Sequence, residues 1–235
     1  MISHPEVPMT DPTRSRDTSA PKTFLDELQE QRWDDHRYYH RSRVNQAFHL
    51  VSACCFLTTY VLLFIHPTMA AVFGWAVAMW PRQIGHFFFE PKGYDEVNAV
   101  TFERKEEIKV GFNLKRKTIL FATWLSVPVA LAACSVFGWI SPFKSFADYL
   151  HLLGVLWLGL AGAGLLGRTL YLCITRNVQT GVVWFTKILT DPFHDVKIYH
   201  RAPLHLLRGE WFEPASHPSD HDAPPPGRAH GELRA

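Results

Sequence analysis

The 235-residue sequence lacks an excess of either charge, with 24 Lys and Arg against 22 Asp and Glu. A nucleic-acid binder, which usually needs a large basic surplus, is therefore excluded. Paired cysteines are also lacking. Cys54, Cys55, Cys134 and Cys173 all fall in apolar stretches, without the spacing of a zinc site or a disulfide framework, and read as small reduced core residues. Residues 1–43 contain no apolar h-region, so no cleaved signal peptide is expected, and the first apolar segment must act as its own insertion signal. The most informative lack is local: no Asp, Glu, Lys or Arg occurs in 44–81, in 118–143 or in 149–167. An overall composition of 47% hydrophobic and 20% charged residues conceals this segregation, which is that of a membrane protein with polar tails. A soluble helical core would carry a polar stripe along helices of this length.

A bilayer core of about 30 Å needs roughly 20 helical residues, so the first uncharged stretch holds two crossings, with His66-Pro67-Thr68 as the turn between them. The expected fold is all-α and polytopic, with about four transmembrane helices at 44–65, 68–89, 117–140 and 147–174 and interfacial helices at both ends. Its parts are a disordered tail (1–22), a juxtamembrane helix (23–43), a four-helix membrane domain (44–175) with a loop at 91–116, an interfacial segment (176–213) and a disordered tail (214–235). Lys and Arg concentrate before residue 44, in 82–117 and after 167. By the positive-inside rule, both termini and the loop are expected to be cytoplasmic, in a bacterial inner membrane or the endoplasmic reticulum.

Local signals add detail. Thr23 with Asp26 predicts a helix start, and Phe24, Leu25, Leu28 and Trp33 can rest that helix on the membrane surface. Pro128 predicts a kink in the third span. Gly159, Ala163 and Gly167 form a small-residue stripe suited to close helix packing, within the monomer or in a homo-oligomer. Asp191-Pro192 is expected to cap and begin a new helix.

The histidines carry the chemical signal. His49 stands at the entry of the first span and His86 at the exit of the second, so an antiparallel hairpin returns them to similar depth, with His40 one turn before the first span. An ionisable residue inside a span is costly to desolvate unless a partner or metal compensates. Neutral imidazole is also the commonest transition-metal ligand. His40, His49 and His86 with the carboxylate of Glu90 make an N- and O-rich set suited to Fe(II). Each also has a plainer reading, as a solvated or hydrogen-bonded interhelical histidine. Asn45, one turn before His49, can orient an imidazole through its carbonyl or cap the helix. His36 shares a face with His40. His194 and His200 lie in the interfacial segment, where a helix folding back can add a ligand, act as a lid, or simply lie on the surface. His66 and His151 read as interfacial.

His40, Asn45 and His49 at the start of one span, then Gly85-His86-Phe87-Phe88-Phe89-Glu90 at the end of the next, resemble the yeast-type 2-hydroxy fatty acid dioxygenase family, also called Mpo-like. Tyr38-Tyr39 is similar to that family's opening aromatic pattern. The resemblance covers about residues 36–90 and implies an integral membrane enzyme that uses Fe(II) and O2 to shorten a 2-hydroxy fatty acid by one carbon, with His40, His49 and His86 binding the metal. The partners are then a lipid substrate, O2 and the bilayer, and Trp75, Trp80 and Phe87 to Phe89 either wall the acyl chain or pack against lipid. Two other readings stand beside it. A di-iron lipid hydroxylase uses about eight histidines in recurring pairs such as His-x-x-His-His, and no adjacent pair occurs here. A structural or haem-binding four-helix protein would use His49 and His86 for packing or axial ligation.

Overall fold

A computed structural model describes residues 22–90, 92–95, 101–104 and 114–213. Residues 1–21 of the expected tail at 1–22, the tail at 214–235 and most of the loop at 91–116 lie outside the described residues. The named elements among the described residues are all helices, and an isolated antiparallel bridge joins Ser42 to Phe212.

Helix α1 (Phe24–Tyr39) begins where Thr23 and Asp26 exchange hydrogen bonds in a capping box. Leu28 is buried while Leu25 is exposed, and α1 packs on the later helix Val178–Tyr199. After a short link, the hydroxyl of Ser42 caps α2 (Arg43–Ile65) by accepting from the Asn45 N–H. His66 closes α2 and opens α3 (Pro67–Phe73), with Pro67 in the first turn, where its missing N–H does no harm.

The return is not the uniform helix expected over 68–89. Helix α3 passes into a π segment, Gly74–Ala78, and then into α4 (Met79–Phe88). A π turn holds one residue more than an α turn, so α4 is rotated by roughly 100° from regular register. Helix α2 is fitted to this irregularity, because Ser52 donates to the Ala78 carbonyl at 2.7 Å and Thr59 packs against Gly74. At Gly85 a Cβ would lie 2.1 Å from Asn45 Oδ1, so α4 can approach α2 this closely only through a glycine.

Helices α5 (Leu114–Val136) and α6 (Phe146–Thr175) form a second pair. Pro128 has no N–H and leaves the Trp124 carbonyl without its helical donor; the Trp157 indole donates to that carbonyl instead, at 3.3 Å, and α5 continues through the proline. Trp75, expected beside an acyl chain or lipid, stacks on Trp124 with ring centroids 4.5 Å apart and shares a buried apolar cluster with Leu131, Leu153 and Trp157. That cluster joins the two helix pairs, and α6 crosses α3 closely, since a Cβ at Gly154 would lie 2.4 Å from the Thr68 carbonyl.

Helix α7 (Val178–Tyr199) is capped by Asn177 and packs on α1, α2 and α6. It corrects the expected break at Asp191-Pro192, because the helix runs on through Pro192. The Tyr60 hydroxyl donates to the Leu189 carbonyl in the turn before that proline, at 3.0 Å, which supports the turn the ring disturbs. After α8 (Ala202–Leu207) the chain turns at Gly209, whose φ of +78° is a conformation glycine adopts readily, and runs back past the α1–α2 link. There Arg43 N–H donates to the Trp211 carbonyl and Glu213 N–H to the Arg41 carbonyl, both at 2.9 Å. Three helical stretches, Arg43–Ile65, Lys117–Val136 and Phe146–Thr175, are long and apolar enough to cross a membrane.

Candidate metal centre

The end of α1, the first half of α2 and the end of α4 bring His40, His49 and His86 together, all buried. Each offers a ring nitrogen, and these three atoms lie within 4.8 Å of one another. His49 Nε2 and His86 Nε2 face each other at 3.2 Å, and the His40 and His49 ring centroids are 4.0 Å apart. Two imidazole nitrogens bound at about 2.1 Å to one ion stand roughly 3–3.5 Å apart, so the His49–His86 pair already has that separation.

The groups behind the rings differ in how firmly they hold them. His86 Nδ1 is 3.1 Å from Glu90 Oε2. His40 Nδ1 is 2.8 Å from the Tyr199 hydroxyl. His49 Nδ1 is 3.5 Å from Asp195 Oδ2, too far for a good hydrogen bond, and has no closer partner among the described residues; Arg82 Nη2 is 3.5 Å from the same oxygen. A carboxylate can only accept, so Glu90 favours a proton on His86 Nδ1 and a lone pair on the far Nε2. At 3.2 Å, that lone pair and His49 Nε2 can share a proton or a cation between them. His40 Nε2, meanwhile, is buried with no hydrogen-bond partner among the described residues. Burial, reinforced by His49, Arg82, His36 and Lys187, holds the His40 imidazole well below the ordinary histidine range, in the neutral form that binds metals. The cluster can therefore hold a metal.

The other expected site residues take different places. Glu90 lies behind His86, on Nδ1, rather than in the group of three converging nitrogens. Asn45 does not orient an imidazole through its carbonyl: its amide donates to the Tyr39 carbonyl at 2.9 Å, while its Oδ1 is buried against Gly85 with no hydrogen-bond donor among the described residues. His36 is one step out, with Nδ1 3.1 Å from the Tyr199 hydroxyl and Nε2 3.3 Å from Glu213. His200 is exposed at the end of α7, with Nδ1 2.9 Å from the Lys197 carbonyl. His194 lines a cavity beside His40 without joining the three. His66 is exposed, and His151 is an exposed residue 3.4 Å from Thr68.

The fold-back helix thus brings Asp195 and Tyr199 to the cluster instead of a histidine. Lys187, Asp191, Asp195 and Tyr199 are all buried and follow one another at four-residue spacing on one face of α7. That spacing is present in the sequence and is the available signal for them. The Lys187 ammonium lies between Asp35, at 2.6 Å, and Asp191, at 2.8 Å; burial alone would lower its pKa, but these two carboxylates outweigh burial and push it up. Arg32 adds a contact to Asp191 at 3.6 Å and donates to Thr190. This network docks α7 onto α1. It also lines the cavity, about 20 Å³ and room for one water-sized molecule, that Arg82, Asp195, Tyr199 and His40 share. Burial, then Asp195 and Glu213, pushes the Tyr199 phenol up, so it keeps its proton.

Residues 27–93 match the family model described as 2-hydroxy-palmitic acid dioxygenase Mpo1-like. This segment contains all three clustered histidines and Glu90, and it supports the family resemblance carried by the two histidine motifs. None of the curated proteins or solved structures compared gives a significant match.

Proposed function

We propose, from the similarity of residues 27–93 to the Mpo1-like family, that the protein is a membrane-embedded dioxygenase that holds one Fe(II) at His40, His49 and His86 and shortens a 2-hydroxy fatty acid, or a related lipid, by one carbon. The observation that carries this reading is the convergence of three buried imidazole nitrogens inside the matched segment. Bound there, Fe(II) supplies the activation of O2. Written to the shortened acid, one 2-hydroxy acid and one O2 give that acid, CO2 and water, so the reaction balances without an external reductant.

The chain's own residues then have defined tasks. His40, His49 and His86 hold the ion by Nε2, and Tyr199, Asp195 and Glu90 orient them from behind. Arg82 enters the cavity next to His40 and is held only loosely by Asp195, so its guanidinium is placed to pair with the acid head of the substrate. The cavity is too small for an acyl chain, which lies instead along the lipid-facing side of the hairpin while the polar head reaches inward.

The same reading includes a fourth crossing. If α2 crosses the bilayer and His86 returns beside His49, then the path from Pro67 to Phe88 must cross back. With α5 and α6 as a second pair of crossings, both termini and the metal centre lie on one side, and the distribution of Lys and Arg supports the cytoplasmic one. The test is metal analysis and lipid turnover on purified protein. One non-haem iron per chain and oxygen-dependent loss of one carbon, both abolished in His49→Ala and in His86→Ala but kept in His66→Ala, support it. Two irons or haem point to the hydroxylase or the haem-binding alternative. Iron and turnover retained in both cluster variants overturn the assignment.

A further inference from the structure

From the hydrogen-bond geometry around His40 we infer that Glu213, on the segment that folds back after α8, dictates through His36 and Tyr199 which nitrogen of His40 is free to bind metal. The inference rests on the reading of His40 as a ligand. The contacts form one chain: His40 Nδ1 to the Tyr199 hydroxyl at 2.8 Å, that hydroxyl to His36 Nδ1 at 3.1 Å, and His36 Nε2 to Glu213 Oε2 at 3.3 Å.

Each of the two central groups can point either way, but the end cannot. An ionised carboxylate has no proton to give. Burial alone would raise the Glu213 carboxyl, but His36, Arg43 and Gln46 outweigh burial and bring it down to about 2, so it is an anion at any physiological pH. The Gln46 amide donates to Glu213 at 2.7 Å and Arg43 stands 3.6 Å away, which keeps the carboxylate in place. The backbone pairing of Glu213 with Arg41 fixes it against the α1–α2 link.

The directions then follow one from another. Whenever His36 carries a single ring proton, Glu213 requires it on Nε2, which makes His36 Nδ1 an acceptor. Tyr199 must donate its single proton there, which leaves its oxygen to accept from His40 Nδ1. His40 Nε2 is then bare, and this nitrogen is buried with no hydrogen-bond partner among the described residues, on a ring that clusters with His49 and His86. A free histidine side chain in water prefers its proton on Nε2, so the chain works against an intrinsic bias. Tyr199, His36 and Glu213 are positioning residues acting through His40. Gln46, which also donates to the His40 carbonyl at 2.7 Å, braces the same histidine from its backbone.

The test is nitrogen NMR of the full chain, labelled with 15N-histidine, metal-free in lipid at pH 8, above the ordinary imidazole range, with His40 assigned by difference against His40→Gln. The expected result is a proton on His40 Nδ1 in the wild type. A shift to Nε2 should follow in Tyr199→Phe and in Glu213→Gln, together with roughly 10–100-fold weaker Co(II) binding. Glu213 is partly exposed, so its variant should fold even if Tyr199→Phe does not. A wild-type His40 already protonated on Nε2, or a tautomer that both variants leave unchanged, overturns the inference. Neither readout uses turnover: the expected tautomers with no oxygen-dependent activity would retire the dioxygenase reading and leave this one standing.

Discussion

Helices α2 and α5 have the same length, 23 residues, and both are apolar enough to cross a membrane. Their buried faces differ completely. Helix α2 buries Asn45, Gln46, His49, Ser52 and Thr59, four of which (45, 49, 52 and 59) recur at helical spacing on one face. Among the described side chains of α5, only Leu131 is buried, and two of its hydroxyls turn back on the helix itself, Thr123 to the Ile119 carbonyl and Ser126 to the Thr123 carbonyl. Where lipid replaces water, apolar surface no longer selects the inward face, and polar groups that need partners do. Helix α2 is a scaffold for the histidine cluster, whereas α5 is an apolar strut joined to the hairpin through aromatic contacts of Phe121 and Trp124.

Breaking this contrast should give its largest effect at the cluster. His49→Ala should lower divalent metal affinity by more than about 100-fold, beyond the usual effect of losing an orienting partner, whereas Thr123→Val and Ser126→Ala on α5 should leave it unchanged; equilibrium metal titration checks both. Next comes helix spacing. Gly85→Ala pushes a methyl into Asn45 and should destabilise the fold by about 1–3 kcal/mol, read by denaturant unfolding in detergent. Gly159→Ala and Gly167→Ala face open space and should change folding little. If the stripe with Ala163 joins copies of the chain, these two variants should instead alter self-association by light scattering.

A smaller effect is expected at Arg82. If it pairs with the acid head, Arg82→Ala should raise KM about 10-fold, the scale of one charged hydrogen bond, with less change in kcat. The smallest is acid dependence at Glu213. Its folded pKa of about 2 lies below the unfolded value near 4.3, so its contribution to stability is fully present above about pH 4.3 and is lost as pH falls toward 2. The wild type should therefore lose more unfolding free energy than Glu213→Gln between pH 5 and pH 2.5, and equal losses would remove the assigned role of this carboxylate.

Hydropathy alone locates α2, α5 and α6 to within a few residues, because uncharged length is a one-dimensional property. The meeting of His40, His49 and His86 is also legible, since an antiparallel hairpin equalises depth whatever its detailed register. Three things are not. The π segment has no signal that separates Gly74-Trp75 from an ordinary helical glycine. The turn of α7 before Pro192 receives a hydrogen bond from Tyr60, a residue of α2 that lies far away along the chain. The supports of the histidines come from equally distant segments, so local spacing points to Asn45 for a task that Asp195 and Tyr199 are placed to perform.

Regular geometry and a working site are at odds in the return limb of the hairpin. Removing one residue from 74–78 would give a tidier helix, closer to what intrinsic preference favours, yet it would swing Gly85 and His86 about a quarter turn away from α2. Any redesign that scores this limb by smoothness would therefore blind the protein while seeming to improve it, and natural variants that shorten the segment should have lost the cluster as well.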